Sequence, residues 1–287
     1  MSDPIVYLNG EYIPLSQAKV SVLDRGFIFG DGIYEVIPAY AKHPFRLREH
    51  LARLNNNLTA TRITNPHSEP DWETIINKVV AQQDIEDQSI YLQITRGVAQ
   101  RDHAFPEEVE PTVFVMSNPL NVIDQAIFNK GVSAITLDDI RWQYCNIKAI
   151  ALLPNILLRQ AALDKGAQEA ILIRDDEVTE GSASNIFIVK DGVIKTPPKS
   201  ALLLPGITRD LVVELAETNG LAFEETVFSQ DELSQADEIW LTSSTKEVLP
   251  IVSLNEQTVG SGEPGSVSRK MYEIFQAYKA ELKQGKQ

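Results

Sequence analysis

From Ile5 to Lys283, short strand-like runs alternate with helical ones in both halves of the chain, and this alternation limits the fold more than any other feature. Ile5–Leu8, an Asn9-Gly10 turn and Tyr12–Leu15 read as a hairpin, because Asn-Gly supplies the positive φ values that a two-residue hairpin turn needs. Further strands are expected at 33–40, 89–95, 112–116, 132–137 and 169–174, on either side of an Asp191-Gly192 turn within 185–195, and at 238–242 and 248–254. Helices are expected at 46–61, where Leu47, His50, Leu51, Leu54 and Leu58 share a face, and at 70–82, 155–165, 208–219 and 266–283. Gly166 and Gly220 close two of these helices, as C-terminal glycines do. Mixed helices and strands with several hairpins predict an α/β (mixed α+β) fold of two domains. Pro and Asn in Ser117–Asn121 break both periodicities, which sets the expected division: a small domain at 1–118, a linker at 119–127 and a larger domain at 128–287.

Charge and composition narrow the function. Lys plus Arg number 26 against 40 for Asp plus Glu, a formal net charge of −14. Such a surface argues against nucleic acid or an anionic membrane as the main partner, while leaving room for a local basic pocket that takes a small anion. The single cysteine, Cys145, permits no intrachain disulfide and suits a reducing cytoplasm. The first residues lack a basic stretch followed by an apolar one, so no secretory signal is expected. No apolar run reaches the roughly 18 residues of a membrane span. His43, His50, His67 and His103 show no metal-ligand spacing, so no metal is expected.

Several clusters carry groups with chemical potential. Lys148 lies in an otherwise apolar run; a desolvated lysine becomes a nucleophile toward carbonyls, although a lysine snorkelling from a strand edge is the commoner explanation. Leu204–Asp210 reads as a loop running into a helix, whose free N–H groups can bind phosphate, or as a plain Gly-Pro turn. Val178–Asn185 and Thr242–Thr245 are hydroxyl-rich and read equally well as turns. Asp24–Glu35 has three glycines between aromatics, which implies close backbone packing, but it is no nucleotide-binding loop. Arg101 and His103 lie two residues apart, so in an extended loop they point the same way and make a carboxylate clamp or a solvated basic loop.

Taken in order, DRGFIFGDGIYE (24–35), Arg53, RDH (101–103), NIK (146–148), VTEGSASN (178–185), LPGITRD (204–210) and TSSTKE (242–247) resemble the fold-type IV aminotransferases that use pyridoxal 5'-phosphate (PLP). The likeness runs over roughly residues 5–275. It implies that Lys148 holds PLP as a Schiff base and then moves the substrate proton, and that Glu180 faces the pyridine nitrogen. It further implies that Arg53, Ile207, Thr208 and Ser244 hold the phosphate, that Ser184 and Ser243 are cofactor contacts and that Leu204 packs on the ring. Within the family, Tyr34, Arg101 and His103 match the carboxylate-binding set of D-amino-acid transaminases, which in those enzymes comes from the partner of an obligate homodimer. The resemblance therefore implies transfer of an amino group between a D-amino acid (D-alanine, D-glutamate) and a 2-oxo acid (pyruvate, 2-oxoglutarate). The alternatives are a branched-chain L-amino-acid or (R)-amine transaminase, or an aminodeoxychorismate lyase. Ala149, Ala151 and Ala183 depart from the usual pattern of the D-enzymes.

Overall fold

The computed structural model describes residues 3–121 and 123–285. They form two compact units, one holding the chain up to Asn121 together with Ile147–Leu152, the other the remainder.

The first unit contains β1 (Ile5–Leu8), β2 (Glu11–Pro14), α1 (Arg25–Phe29), β3 (Gly32–Tyr40), β4 (His43–Pro44), α2 (Leu47–Thr61), α3 (Glu69–Ala81), β5 (Gln88–Thr95) and β6 (Thr112–Pro119). Its described strands form a six-stranded antiparallel sheet in the order β2-β1-β6-β5-β3-β4. The two-residue period sorts side chains to its faces. Ile90, Leu92 and Ile94 of β5 turn inward with Ile33, Ile37, Val113 and Val115, and the apolar stripes of α2 (Leu54, Leu58) and α3 (Trp72, Ile76, Val79) cover them. A capping box starts α3: Ser68 Oγ accepts from Asp71 N, and the Asp71 carboxylate accepts from Ser68 N. The other face of the sheet carries a cavity of about 520 Å³ lined by, among others, Leu8, Tyr34, Tyr91, Gln93, Phe114 and Ile150.

The second unit contains α4 (Gln125–Lys130), β7 (Val132–Asp138), α5 (Leu153–Asp164), β8 (Glu169–Arg174), β9 (Glu177–Gly181), β10 (Asn185–Lys190), β11 (Val193–Thr196), α6 (Ile207–Thr218), β12 (Phe223–Glu225), α7 (Gln230–Ser234), β13 (Glu238–Ser243), β14 (Glu247–Leu254), β15 (Gln257–Thr258) and α8 (Ser266–Lys283). Its mixed sheet has nine described strands, ordered β12-β11-β10-β13-β14-β7-β8-β9 with β15 on β14. Parallel β7 and β8 are joined through α5, whose Leu158 and Ala162 pack on Ile135, Ala170 and Leu172. Between β7 and α5 the chain leaves this unit for Ile147–Leu152.

The expected linker at 119–127 contains the boundary between the two units after Asn121, and its described residues include the end of β6 at Pro119 and the first half of α4. One expectation is corrected. Val178–Asn185 is not simply a turn: β9 runs to Gly181 before the chain turns.

Candidate active site

In the first unit, Lys148 lies beside the start of β3. Tyr34 N donates to Lys148 O at 3.0 Å, Ile150 N donates to Gly32 O at 3.1 Å, and Ile33 bridges Ala149. Lys148 is half-buried and its Nζ sits 4.2 Å from the centre of the Tyr34 ring. The amine is therefore held over an aromatic face instead of snorkelling from a strand edge. The same contact corrects Tyr34, which was expected from a partner subunit and packs against the lysine of its own chain.

Glu35 follows Tyr34 and so points to the opposite, covered face of β3. Its fully buried carboxylate accepts from Arg53 Nε at 2.8 Å and Nη2 at 2.7 Å and from His50 Nδ1 at 2.8 Å. Burial alone would raise this carboxyl, but Arg53 and then His50 outweigh it and hold Glu35 well below the usual range. Burial lowers His50, which leaves a neutral ring donating through Nδ1; its buried Nε2 has no hydrogen-bond partner among the described residues. The two-point grip of Glu35 fixes the plane of the Arg53 guanidinium.

Arg101 and His103 lie on an exposed loop and meet at one ring: Phe29 is 5.3 Å from the Arg101 guanidinium and 5.6 Å from the His103 ring.

In the second unit, Glu180 lies one residue before the end of β9 with its carboxylate buried. Arg141 Nη1 makes a short contact with Oε1, while Leu204 N at 3.0 Å and Asn185 Nδ2 at 3.3 Å donate to Oε2. Burial, only partly offset by Arg141, pushes Glu180 up to about 7. Arg141 is itself held from below by Asp139 through Nε and Nη2, both at 2.9 Å. Asn185 also donates to Leu204 O at 2.9 Å, so Glu180 and Leu204 are locked into one hydrogen-bonded unit.

Ile207 and Thr208 are buried in the first turn of α6, whose N-cap, Gly206, makes no side-chain cap bond. A Cβ at 206 would lie 2.1 Å from Asn185 Oδ1, so only glycine allows the asparagine that braces Glu180 and Leu204. Ser243 and Ser244 sit at a turn in which Ser243 Oγ accepts from Lys246 N at 3.1 Å. Ser184, expected at the cofactor, instead gives its hydroxyl to buried Glu169 at 2.9 Å.

Sequence reasoning assigned no role to Glu35, His50, Asp139, Arg141 or Asn185. A signal existed for Arg141, an arginine two residues after Asp139 at the edge of the same apolar run that holds Lys148.

The first unit thus holds a lysine amine over a tyrosine ring, and the second holds a buried carboxyl raised to about 7 and a helix start without a side-chain cap. The class IV aminotransferase family model matches residues 32–254. The chain belongs to the class IV aminotransferases. These are PLP enzymes. The chain is 42% identical to the D-alanine aminotransferase of Bacillus licheniformis over 271 residues, covering 94% of this chain and 95% of that protein. It is 39% identical to the D-alanine aminotransferase of Staphylococcus aureus (strain COL), over 95% of this chain and 97% of that one. Among solved structures it is similar to the Escherichia coli branched-chain amino acid aminotransferase, with a TM-score of 0.92 and 28% identity over 96% of this chain and 94% of that one. A second branched-chain amino acid aminotransferase, solved with pyridoxamine 5'-phosphate, has a TM-score of 0.92 and 28% identity over 100% of this chain and 96% of that one.

The residues present fit PLP. The α6 N-terminus supplies unclaimed donors for a phosphate. Glu180, at about 7, can share a proton with a ring nitrogen. His50 Nε2, buried among charged neighbours, has no hydrogen-bond partner among the described residues.

Proposed function

We propose that this aminotransferase moves the amino group between a D-amino acid, D-alanine or D-glutamate, and a 2-oxo acid, pyruvate or 2-oxoglutarate, in a ping-pong cycle. The observation that carries this reading is the Arg101-Asp102-His103 sequence on an exposed loop, with both basic side chains gathered at Phe29, in a chain 42% identical to a D-alanine aminotransferase. PLP, when bound, supplies a carbonyl for Lys148 and a ring that accepts the electrons released at the substrate carbon.

Lys148 would hold the cofactor, and its amine, in contact with the Tyr34 ring, would move a proton at the substrate carbon. Glu180, held in place by Arg141 and Asn185, would face the ring nitrogen and share a proton with it. Arg53, Ile207, Thr208 and Ser244 would bind the phosphate, with Ser243 a further cofactor contact. Leu204, its backbone N–H donating to Glu180, would pack on the ring. Arg101 and His103 bind the substrate carboxylate from the partner of a homodimer, and Tyr34 contributes from the subunit that holds Lys148. The exposed apolar side chains of Val20, Val22, Leu23 and Phe27 support a covered surface in that region. The single cysteine fits a reducing cytoplasm.

The branched-chain alternative draws on the shared backbone, but a fold common to both specificities does not choose between them. Lys148→Ala should still take up PLP without the visible absorption of the lysine-bound form, and turnover should fall at least about 10²- to 10⁴-fold, the usual reach of a general acid-base. Full turnover in that variant would overturn the reading.

A further inference from the structure

Arg25 begins α1, a five-residue helix whose N-cap, Asp24, accepts from Gly26 N. Its side chain is 4% exposed, which is unusual for an arginine, and the guanidinium is divided between two tasks. Nε donates to Asp31 Oδ2 at 2.7 Å. Nη1 donates to two backbone carbonyls, Asp102 O at 2.6 Å and Ala104 O at 3.3 Å, the residues on either side of His103. The Phe29 ring, one turn along the same helix, lies 4.9 Å from the Arg25 guanidinium and also receives Arg101 and His103. The loop is pinned at its far end as well. Phe105 lies under the guanidinium of Arg96 at 3.7 Å and near that of Arg62 at 5.0 Å, and Asp102 Oδ1 accepts from Ala104 N at 2.9 Å.

An exposed loop has little reason of its own to hold one shape. Here its conformation is set from beneath by a buried charged donor, and charge-assisted bonds to carbonyls are among the stronger ones a protein makes. We propose that Arg25 is a positioning residue for substrate specificity: through the carbonyls of Asp102 and Ala104 it sets the direction in which Arg101 and His103 meet a carboxylate. The inference rests on Arg101 and His103 being the carboxylate clamp. It adds that the geometry of the clamp is fixed by α1.

Removing Arg25 does not strand a buried carboxylate. Asp31 keeps Arg96, which donates to it through Nε at 2.8 Å and Nη2 at 3.0 Å. Arg25→Gln therefore tests the loop while the Arg96–Asp31 ion pair stays in place. The experiment uses the PLP-loaded full chain and compares wild type, Arg25→Gln, Arg101→Ala and the double variant, with D-alanine and 2-oxoglutarate as substrates. The expected result is a rise in KM for both substrates of about tenfold in Arg25→Gln, the scale of one hydrogen bond to a charged group, with kcat and PLP affinity within about twofold. In the Arg101→Ala background, Arg25→Gln should add almost nothing, since the two act on one clamp. Arg25→Lys, which keeps a cation but not the forked donor, should recover only part of the loss. If Arg101→Ala raises KM but Arg25→Gln does not, or the two losses simply add, the positioning role is wrong while the clamp stands. An Arg101→Ala that leaves KM unchanged removes the clamp reading and this inference together. Equal loss of PLP affinity and substrate affinity in Arg25→Gln would mean general damage to the fold and would also overturn it.

Discussion

Glu35 and Glu180 are both buried carboxyls, and what faces each one decides its behaviour. Glu35 meets Arg53 at two points and His50 at a third, so its folded value lies below the ordinary 4.5. Its contribution to stability is complete above 4.5 and lost as the pH falls through the folded value. Glu180 is raised from 4.5 to about 7 because burial outweighs Arg141, so the native state binds that proton more tightly than the unfolded chain. Its contribution is complete below 4.5 and lost as the pH rises to about 7. Urea unfolding of the cofactor-free protein across that interval should show stability declining with pH, and Glu180→Gln should flatten the decline; an identical slope in both proteins would contradict the assignment. The sequence singled out Lys148 and Glu180 through the order of their motifs along the chain. It hid the groups that tune them, because Glu35 finds Arg53 only when α2 packs on β3, and Arg141 finds Glu180 across a separation of 39 residues.

The long elements and the hairpins marked by Asn-Gly and Asp-Gly turns were readable and the short helices were not, for a physical reason. A helix such as α2 or α8 repeats its apolar spacing over several turns, and β5 alternates over eight residues, so the pattern announces the element. The five residues of α1 are too few for any period, and the helix exists because Asp24 caps it and its chain neighbours bond to residues 96–99: Arg25 N to Gly97 O, and Ala99 N to Leu23 O. The same holds for α7, which a Ser229-Glu232 capping box starts. The start of α6 was visible as Leu-Pro-Gly, yet the need for glycine there comes from Asn185, a residue on β10. Gly206→Ala should push Asn185 off Glu180 and Leu204. Overpacking of this kind costs about 1–3 kcal/mol, so the variant should melt lower and bind PLP about tenfold or more weakly. Unchanged PLP affinity by fluorescence titration would show that the α6 start and the Glu180 brace are independent.

At the scale of the whole molecule, composition and element alternation were enough for a two-part α/β chain, but not for the route of residues 147–152, which sit with the first unit although their sequence neighbours sit with the second. That excursion brings Lys148 to β3, and no local pattern encodes it. The large apolar side chains left exposed in the first unit, Val22 at 70% and Phe27 at 72%, are the kind that a partner surface covers. In the proposed homodimer, Phe27→Asp should shift the protein toward monomer in sedimentation and reduce turnover with it, because Arg101 and His103 would no longer reach a partner; a fully active monomer would contradict that proposal. The central claim is stereochemical and is tested most directly by the visible absorption of the PLP-loaded protein after adding D-alanine or L-alanine separately. The account predicts that D-alanine alone converts the band of the lysine-bound cofactor to that of the pyridoxamine form. Conversion by L-alanine, or by neither isomer, would contradict the reading of Arg101 and His103 as a D-specific clamp.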